Sequence, residues 1–469
     1  MPKNYIIQVL GRLSGYRDLN IIISNRMVRA RLVSEAIRRS IEGDWEILLY
    51  IPESLVTYVA NDPYEAARYI ENPRSFEEVF REKIRESGLL EGDFSVKMVR
   101  SAGLYVGEGR DYRIQFVNDL DSIITYLFLD LLELGEADII ADISTGQNFY
   151  VVALLEALRH LLVYRKLEHI LDGHRLSFKI STITPPATAR DEGPPEPQPV
   201  DFSEIDVKVF FEYPFRSTPR GAGKIVSLGD YVSKNLNEDI RNGIIRELVE
   251  RFSEPFEKLK DLLNTCMMAF NALKHNAPLC FYHREIINLN DPSVDETLNL
   301  LKSILNHIES RKRVSIEKDE RLVKVERIMV SRFNVVNTFL AIALFKSLQE
   351  KLGGLSAIRS PALSEIEESF KRIYNALGLQ LNTVFLSKEI SDLRKAAEYL
   401  RDGEELLYAE VLSRLGNRPG RPQDPKRNFF AHAGLTYDET LVRRDDDEVR
   451  VRYREGCYGK IKDYLEAPL

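Results

Sequence analysis

The spacing of apolar residues changes near residue 215 and divides the chain into two parts. Before that point, short β-branched or aromatic runs alternate with stretches whose apolar residues recur every three or four positions. This alternation predicts a Rossmann-like α/β fold, in which helices cover both faces of a mostly parallel sheet. The predicted strands are residues 5–10, 45–51, 95–100, 137–143, 177–183 and 205–213, and the predicted helices are residues 26–42, 63–87, 118–135 and 147–168.

From about residue 235 the pattern becomes helical. Long amphipathic stretches occupy residues 239–252, 256–273, 297–308 and 334–351. They predict an α-helical second domain over residues 235–469. A charge-dense segment at 311–325, followed by glycine and proline breaks, predicts a small inserted helical subdomain at about 285–375. Near the end of the chain, residues 448–453 alternate charged with β-branched or aromatic residues, which predicts an edge strand.

Two proline-rich segments set the expected domain limits. Residues 184–200 hold six of the 20 prolines. Proline lacks a backbone donor, so this segment is expected to be neither helix nor central strand. We predict an extended excursion inside the first domain. Proline, glycine and serine cluster again at residues 214–223, and we therefore predict a first domain at 1–215 and a linker at 216–234.

Composition restricts the class of protein. With 44% hydrophobic and 29% charged residues, the chain is typical of a soluble globular protein, and no apolar run reaches the roughly 18 to 20 residues needed to span a bilayer. No signal peptide is recognisable at the start. Cys266, Cys280 and Cys457 are scattered without a Cys-x2-Cys pair, which predicts reduced thiols in the cytoplasm and no structural zinc. The net charge of −7 argues against a protein that coats nucleic acid, but it permits a local basic site.

The segment from residue 427 to 434 carries the most informative candidate chemistry. At about 100° per residue, Arg427, Asn428 and His432 fall on one polar arc of a helix, and Phe429 and Phe430 face the other way. The aromatic side chains can therefore be buried while the polar trio stays accessible. The Arg-x4-His spacing alone arises easily by chance, so an ordinary amphipathic helix is the alternative interpretation.

The flanking residues define the ends of this helix and its electrostatic surroundings. Asp424 followed by Pro425 is typical of a helix start, and Gly434 can end the helix in a left-handed conformation. Between residues 414 and 427, five basic side chains stand against one acidic side chain, which favours an anionic polymer as partner. The basic residues that we expect to contact such a polymer are Arg418, Arg421 and Lys426.

A second candidate anion site follows the predicted strand 137–143. The chain reads Asp-Ile-Ser-Thr-Gly-Gln-Asn at 142–148, and an apolar helix begins at once. Such a turn presents unpaired backbone amides and the positive end of a helix dipole at the carboxyl edge of the sheet. The first strand ends comparably, at residues 11–16. A plain, well-capped connection is the alternative interpretation of 142–148.

Motifs for common cofactors and metals are incomplete. Gly107-x-Gly109 lacks a third glycine, and residues 221–224 lack the flanking residues of a phosphate loop, so NAD and ATP are poorly supported. His160, His169 and His174 have no zinc spacing, and the acidic run 445–447 is typical of a solvated turn. We therefore expect no cofactor and no metal.

Taken together, a Rossmann-like domain with Asp142 to Gly146 and a helical domain with Arg427-Asn428-x3-His432 resemble the CARF and HEPN ribonucleases of type III CRISPR systems. Residues 11–23 look like the opening strand-loop-strand of this family, and residues 267–279 look like a HEPN helix pair. The resemblance implies an N-terminal CARF sensor and a C-terminal HEPN nuclease. It further implies an antiviral endoribonuclease that cleaves single-stranded RNA once a cyclic oligoadenylate binds, with cyclic tetra-adenylate as the expected activator.

The resemblance also implies roles for individual residues. The ring would lie on the two-fold axis of a homodimer, alone or within a larger homo-oligomer, because a symmetric ligand suits an isologous interface. The residues that we expect to contact the ring are Ser14, Ser144, Thr145, Gly146, Gln147 and Asn148, with Arg12 as a weaker candidate.

For cleavage, the RNA's own 2′-hydroxyl would attack the adjacent phosphate and leave a 2′,3′-cyclic phosphate. His432 would shuttle the proton, since an unperturbed histidine titrates near pH 6.5. Arg427 would stabilise the phosphate charge, and Asn428 would hold the imidazole or the phosphate. Two alternatives stay open: a ligand-responsive regulator or scaffold without catalytic activity, and a metal-dependent DNase.

Overall fold

The computed structural model describes residues 3–107, 109–144, 148–171, 178–183, 197–205, 207, 227–290, 294–416 and 423–466. In the first half, the strands are β1 (Asn4–Val9), β2 (Leu19–Ile23), β3 (Arg26–Ala30), β4 (Trp45–Pro52), β5 (Phe94–Val99), β6 (Gly103–Val106), β7 (Arg113–Val117), β8 (Ile139–Asp142), β9 (Phe178–Ile183) and β10 (Gln198–Glu204). The helices are α1 (Val33–Ser40), α2 (Val56–Val59), α3 (Pro63–Glu71), α4 (Pro73–Glu86), α5 (Leu120–Leu132) and α6 (Asn148–Glu168).

Eight of these strands form one sheet with the order β3-β2-β10-β9-β8-β1-β4-β5. The run from β9 to β5 is parallel throughout, whereas the β9–β10 and β2–β3 pairs are antiparallel. Consecutive residues of β1 point into the hydrophobic cores on opposite faces of the sheet. Ile7 packs with α5 and α6, and Ile6 packs with α1, α3 and α4. Helices therefore cover both faces of a mostly parallel sheet, which confirms the predicted α/β class.

Several elements of this half differ from their predicted bounds. Residues 26–30 form strand β3 rather than the start of a helix, because they pair with β2 in a hairpin. The predicted helix 63–87 is two helices, since Pro73 begins a new one directly after Asn72. The proline-rich segment was expected to hold no central strand, yet β10 lies between β2 and β9 and includes Pro199. Proline is tolerated there because the register places Pro199 opposite β2, and the pairing with β9 begins one residue later, at Val200.

The predicted strand 205–213 is also wrong at its start. Residues 205 and 207 lie outside any strand, and the remainder of that range is outside the described residues.

The second half consists mainly of helices. Its elements are α7 (Glu238–Lys274), α8 (Val294–Glu309), β11 (Arg313–Glu317), β12 (Leu322–Glu326), α9 (Arg332–Leu352), α10 (Leu363–Ala376), α11 (Gln380–Ala397), β13 (Glu405–Leu407), α12 (Tyr408–Arg414), α13 (Pro425–Ala431), β14 (Thr440–Asp445), β15 (Glu448–Tyr453) and α14 (Tyr458–Glu466). The predicted edge strand is confirmed as β15, which ends the sheet β13-β14-β15. The expected helix pair at 267–279 is instead the end of α7 and a 3-10 turn, Pro278–Tyr282.

A β-hairpin from the second half joins a sheet of the first half. Strands β11 and β12 pair with each other, and β12 runs parallel to β7 in the four-stranded order β11-β12-β7-β6. The segment predicted as a helical insertion therefore contains a hairpin. Its charged residues alternate with apolar ones because one face of β11 is exposed. The domain limits themselves remain predictions.

The two halves also share a hydrophobic core. Helix α9 packs against α5 and α6, and the rings of Phe128 and Phe339 meet edge to face with centroids 5.7 Å apart. Both side chains are fully buried. Among the described residues, no helix is both long enough and apolar enough to cross a membrane.

Candidate active site and ligand-binding loop

Helix α13 begins as predicted and carries Arg427 and Asn428, but it ends at Ala431, so His432 is the residue that caps its C-terminus. The Asp424 carboxylate accepts a hydrogen bond from the backbone N–H of Arg427 at 3.0 Å, and Pro425 occupies the first helical position. Gly434 is left-handed as predicted, with φ of +74°, but Ala433 before it is left-handed as well, with φ of +51°. Gly434 donates its N–H to the carbonyl of Phe429 at 2.9 Å. A short helix with both ends fixed holds its side chains in defined directions.

The helix separates its polar and apolar side chains as the spacing predicts. Phe429 and Phe430 are buried, and Phe429 packs against the ring of Tyr464 at 5.5 Å. Arg427 is exposed, and its guanidinium forms no ion pair with any described residue. Asn428 is half-buried on the same arc. A free cation and an amide therefore lie side by side at the surface.

His432 lies at the end of this arc and is held on two sides. Its Nδ1 is 3.0 Å from a carboxylate oxygen of Glu389, and its ring lies 5.2 Å from that of Tyr437. The imidazole is 27% exposed, and Nε2 has no hydrogen-bond partner among the described residues. The accessible nitrogen is therefore Nε2, which can take or give a proton.

Sequence reasoning missed both neighbours of His432. Glu389 precedes it by 43 residues and lies on a different helix, α11. One weak signal existed: Glu389 borders the buried stripe of Leu386 and Ile390, where a charged residue needs a partner. Burial raises the pKa of Tyr437, and the nearby carboxylates of Glu389 and Asp392 raise it further, so its hydroxyl stays protonated near neutral pH.

Of the three basic residues expected to contact an anionic polymer, Lys426 is among the described residues. Lys426 is half-buried in the first turn of α13, whereas Arg418 and Arg421 lie outside the described residues. His275, at the end of α7, packs against Phe430 with ring centroids 5.0 Å apart. Burial lowers its pKa to about 4, with further contributions from nearby lysines, so this imidazole is neutral and belongs to the support of α13.

An exposed apolar stripe runs along α11 on the N-terminal side of Glu389. Leu381, Val384 and Phe385 are 72%, 64% and 54% exposed. Their spacing of three and four residues places them on one face of the helix. This face is one to two turns from Glu389, and therefore close to His432.

The predicted ligand-binding loop begins at the buried end of β8. The Asp142 carboxylate accepts hydrogen bonds from the Ser144 hydroxyl at 2.9 Å, the Ser144 N–H at 3.3 Å and the Ser181 hydroxyl at 3.4 Å. Burial nevertheless raises the pKa of Asp142 to about 6. Asn148 begins α6 and is exposed, whereas Thr145, Gly146 and Gln147 lie outside the described residues.

The loop after β1 lies at the same edge of the sheet. Gln8 of β1 pairs with Asp142 of β8 in a parallel register, so the segments that follow these strands emerge together. Arg12 and Ser14 are both exposed there. The hydroxyl of Tyr16 accepts the Gly11 N–H at 2.9 Å and closes the loop. The fold therefore brings the two predicted ligand-binding segments to one edge.

A hydrogen-bonded path leads from this edge towards the second half. In the first turn of α6, the Tyr150 hydroxyl lies 2.7 Å from that of Ser101. The Ser101 N–H donates to Glu53 at 3.0 Å, and Glu53 forms a buried ion pair with Arg327, which directly follows β12. None of these contacts was visible in the sequence, because they join segments far apart in the chain.

Within the described ranges, no three histidine, cysteine, aspartate or glutamate side chains cluster in a way that could hold a metal ion. The three cysteines are buried and unpaired.

Comparison with known families assigns both halves. Residues 5–182 match the family described as CRISPR system endoribonuclease Csx1, CARF domain. Residues 379–455 match CRISPR system endoribonuclease Csx1, HEPN domain, and this match contains Glu389, Arg427 and His432. No curated protein sequence matches the chain. The two matches together cover more than half of the sequence, and the chain therefore belongs to the CRISPR-associated CARF–HEPN ribonucleases, ligand-regulated enzymes with an N-terminal sensor and a C-terminal nuclease.

Proposed function

We propose that this protein is a metal-independent endoribonuclease of type III CRISPR defence that cleaves single-stranded RNA after binding a cyclic oligoadenylate, with cyclic tetra-adenylate as the activator. The observation that carries the proposal is the arrangement on α13. Arg427, whose guanidinium forms no ion pair within the described part of the chain, shares one arc with His432, whose Nε2 is accessible and whose Nδ1 is held by Glu389. A proton-transfer group and a cation for the phosphate are the groups that acid–base cleavage of RNA uses.

The cleavage step uses the substrate's own 2′-hydroxyl as nucleophile. His432 takes the 2′-hydroxyl proton while the 2′-oxygen bonds to phosphorus, and the bond from phosphorus to the 5′-oxygen breaks. A protonated His432, from the same or a second copy, gives the 5′-oxygen its proton. The products are a 2′,3′-cyclic phosphate and a 5′-hydroxyl. Arg427 stabilises the charge on the phosphate oxygens, and Asn428 orients the phosphate or the imidazole.

One chain supplies half of the proposed site. We propose that a second copy covers the apolar stripe Leu381, Val384 and Phe385 and brings its own α13 towards the first. Exposed apolar side chains spaced along one helix face are typical of an association surface. The two copies would form an isologous homodimer, either alone or within a larger oligomer.

The activator would bind at the sheet edge where the β1 and β8 segments emerge. Ser14 and Ser144 offer hydroxyls there, and the start of α6 offers backbone amides with the positive end of its dipole. Arg12, Asn148 and the predicted turn residues Thr145, Gly146 and Gln147 complete the proposed contact. Binding would shift the population between two separations of the α13 helices.

The test incubates labelled single-stranded RNA with the protein in EDTA, with and without cyclic tetra-adenylate. We expect ring-dependent cleavage by the wild type. His432→Ala should lower the rate by about 10²- to 10⁴-fold, because proton transfer is lost. Ser144→Ala should require more ring for half-maximal activity. His169→Ala and Ser303→Ala, which lie away from both proposed sites, serve as matched controls.

Each opposite result has a separate meaning. Full cleavage by His432→Ala would exclude α13 as the catalytic element. Cleavage of DNA, which lacks the 2′-hydroxyl, or loss of activity in EDTA would indicate a metal-dependent nuclease. If the wild type binds the ring but does not cleave RNA, the protein would instead be the ligand-responsive regulator without catalytic activity.

A further inference from the structure

The Glu389 carboxylate contacts the imidazole of His432. Its side chain is only 14% exposed, and its hydrogen bond to His432 Nδ1 measures 3.0 Å. Among the described residues, Glu389 forms no ion pair with lysine or arginine. A half-buried carboxylate without a cationic partner is costly unless another group satisfies it. His432 is that group, and the contact joins the α11 helix to the motif helix.

We infer that Glu389 is a positioning residue for the proposed ribonuclease reaction. The inference rests on the proposed function. By accepting a hydrogen bond from Nδ1–H, Glu389 selects the imidazole tautomer whose accessible Nε2 is unprotonated. Nε2 is then ready to take the 2′-hydroxyl proton. Once His432 carries two protons, the adjacent carboxylate stabilises the positive charge. The Nδ1 proton stays on the ring throughout, so Glu389 exchanges no proton.

Tyr437 complements this role by packing against the same imidazole ring. Its ring lies 5.2 Å from that of His432 at an interplanar angle of 51°, and it in turn packs against Tyr408 at 5.2 Å. A carboxylate within hydrogen-bond distance of Nδ1 and a tilted aromatic ring packed against the imidazole together restrict its rotation. A rigidly held ring presents Nε2 in one direction, which proton transfer requires.

The same helix offers a control for the loss of one negative charge. Asp392 lies one turn after Glu389, is 51% exposed and contributes to the field at Tyr437, but it does not bond to His432. Asp392→Asn therefore removes a nearby charge without removing the proposed positioning contact. Glu389→Gln preserves shape and removes the charge, and Glu389→Asp preserves the charge but shortens the side chain.

The experiment measures kcat and KM for single-stranded RNA from pH 5 to pH 9 in EDTA, with saturating cyclic tetra-adenylate. We expect Glu389→Gln to lower kcat at least about tenfold with KM within about twofold. Its pH–rate profile should also differ from that of the wild type, since the doubly protonated imidazole loses the carboxylate beside it. Glu389→Asp should recover part of the rate with a wild-type pH profile, and Asp392→Asn should match the wild type.

The outcomes separate this inference from the function on which it rests. If His432→Ala is inactive but Glu389→Gln keeps the wild-type rate and pH profile, the positioning role is wrong and the nuclease proposal stands. If His432→Ala remains active, the nuclease proposal fails. A rate loss in Glu389→Gln with an unmoved pH profile would reduce Glu389 to a packing role. If Glu389→Gln does not fold, a Glu389→Asp variant with a displaced pH profile would also contradict the inference.

Discussion

Gly434 is the residue at which the motif helix is fixed to the rest of its domain. Its φ is +74°, and a Cβ placed there would lie 2.9 Å from the Tyr453 hydroxyl and 3.2 Å from the Cα of Ala277. The Tyr453 hydroxyl also donates to the Gly434 carbonyl at 2.9 Å. The position therefore requires glycine both for its backbone conformation and for close packing beneath His432.

We expect Gly434→Ala to destabilise the protein more than a glycine replacement with backbone strain alone. Gly378 is the matched control, because its φ is +72° and nothing lies within 4 Å of its added Cβ. Gly378→Ala should cost about 1 to 2 kcal/mol in the free energy of unfolding. Gly434→Ala should cost at least about 1 kcal/mol more, because it also overpacks a buried contact. Urea titrations measure both, and equal losses would contradict the role given to Tyr453 and Ala277.

A buried histidine makes stability depend on acidity. The Nε2 of His283 accepts the backbone N–H of Tyr453 at 3.0 Å, which requires a neutral ring. Burial lowers the pKa of His283 to about 4 from its ordinary 6.5. The contribution of His283 to the free energy of unfolding is therefore complete above pH 6.5 and is lost as the pH falls towards 4. In that range His283 binds a proton in the unfolded chain but stays neutral in the folded protein.

We expect the stability advantage of the wild type over His283→Gln to shrink by on the order of 2 kcal/mol between pH 7 and pH 4.5. Glutamine can accept the same hydrogen bond and does not titrate. Comparing the two proteins cancels the other groups that titrate in this range. Urea unfolding at the two pH values provides the measurement, and a difference that does not change with pH would show that His283 already carries its proton in the fold.

At the residue scale, the sequence predicted the motif helix closely and its partners not at all. The 100° rotation per residue sorts Arg427, His432 and Phe429 correctly, because this rule depends only on near neighbours in the chain. Glu389 reaches His432 from another helix, and no local rule predicts which helices will pack together. Sequence reasoning therefore placed the charged and titrating groups but not the contact that orients the imidazole.

At the scale of elements, the hairpin β11–β12 joins the two halves and leads into a buried ion pair. Arg327 and Glu53 are 3% and 1% exposed, and Glu53 also accepts the Ser101 N–H. Removing one partner of a buried pair leaves the other charge without compensation. The exposed pair of Arg113 on β7 and Glu320 in the β11–β12 hairpin connects the same two halves, with side chains 43% and 62% exposed.

These two pairs give a direct comparison. Glu53→Ala should lower the free energy of unfolding by about 3 to 5 kcal/mol, because the buried Arg327 guanidinium loses its closest carboxylate and keeps only that of Glu309, 3.8 Å from its Nε. Glu320→Ala should change it by less than about 1 kcal/mol, because solvent screens the exposed pair. Chemical denaturation of each variant decides the point. Similar small losses would mean that water reaches Arg327.

Element prediction failed mainly where pairing with another strand, near or far in the chain, decides the conformation. Residues 26–30 were assigned to a helix because the next turn is helical, yet pairing with β2 makes them a strand. Residues 313–326 carry many charges and were assigned to a helical insertion, yet β12 joins β7 about 200 residues earlier in the chain. Strand formation depends on the partner, whereas the buried strands β1 and β4 have enough apolar residues to be recognised alone.

At the scale of the whole molecule, activity is expected to depend on association through the stripe on α11. Phe385→Glu should weaken self-association and lower ring-activated cleavage at least about tenfold, because a charge would be placed in the proposed apolar contact. Ring binding should persist, since Phe385 is not among the predicted sensor residues. Sedimentation equilibrium and the RNA assay measure the two effects.

The control for this variant is Tyr64→Glu on α3, where a side chain of similar exposure, 59%, lies in the first half of the chain. We expect it to behave as the wild type. Unchanged association together with full cleavage by Phe385→Glu would show that the stripe is not where the copies meet.

The pairing of β12 with β7 limits how the sensor and nuclease halves of this protein can be separated or exchanged. A fragment ending near residue 235 would lose the neighbour of β7 and uncover Phe128, which α9 otherwise shields. An open strand edge beside exposed apolar surface tends to recruit further chains. An excised sensor would therefore be prone to aggregate. A chimera that exchanges the nuclease for a foreign one would have to retain residues 310–352 with the parent sensor.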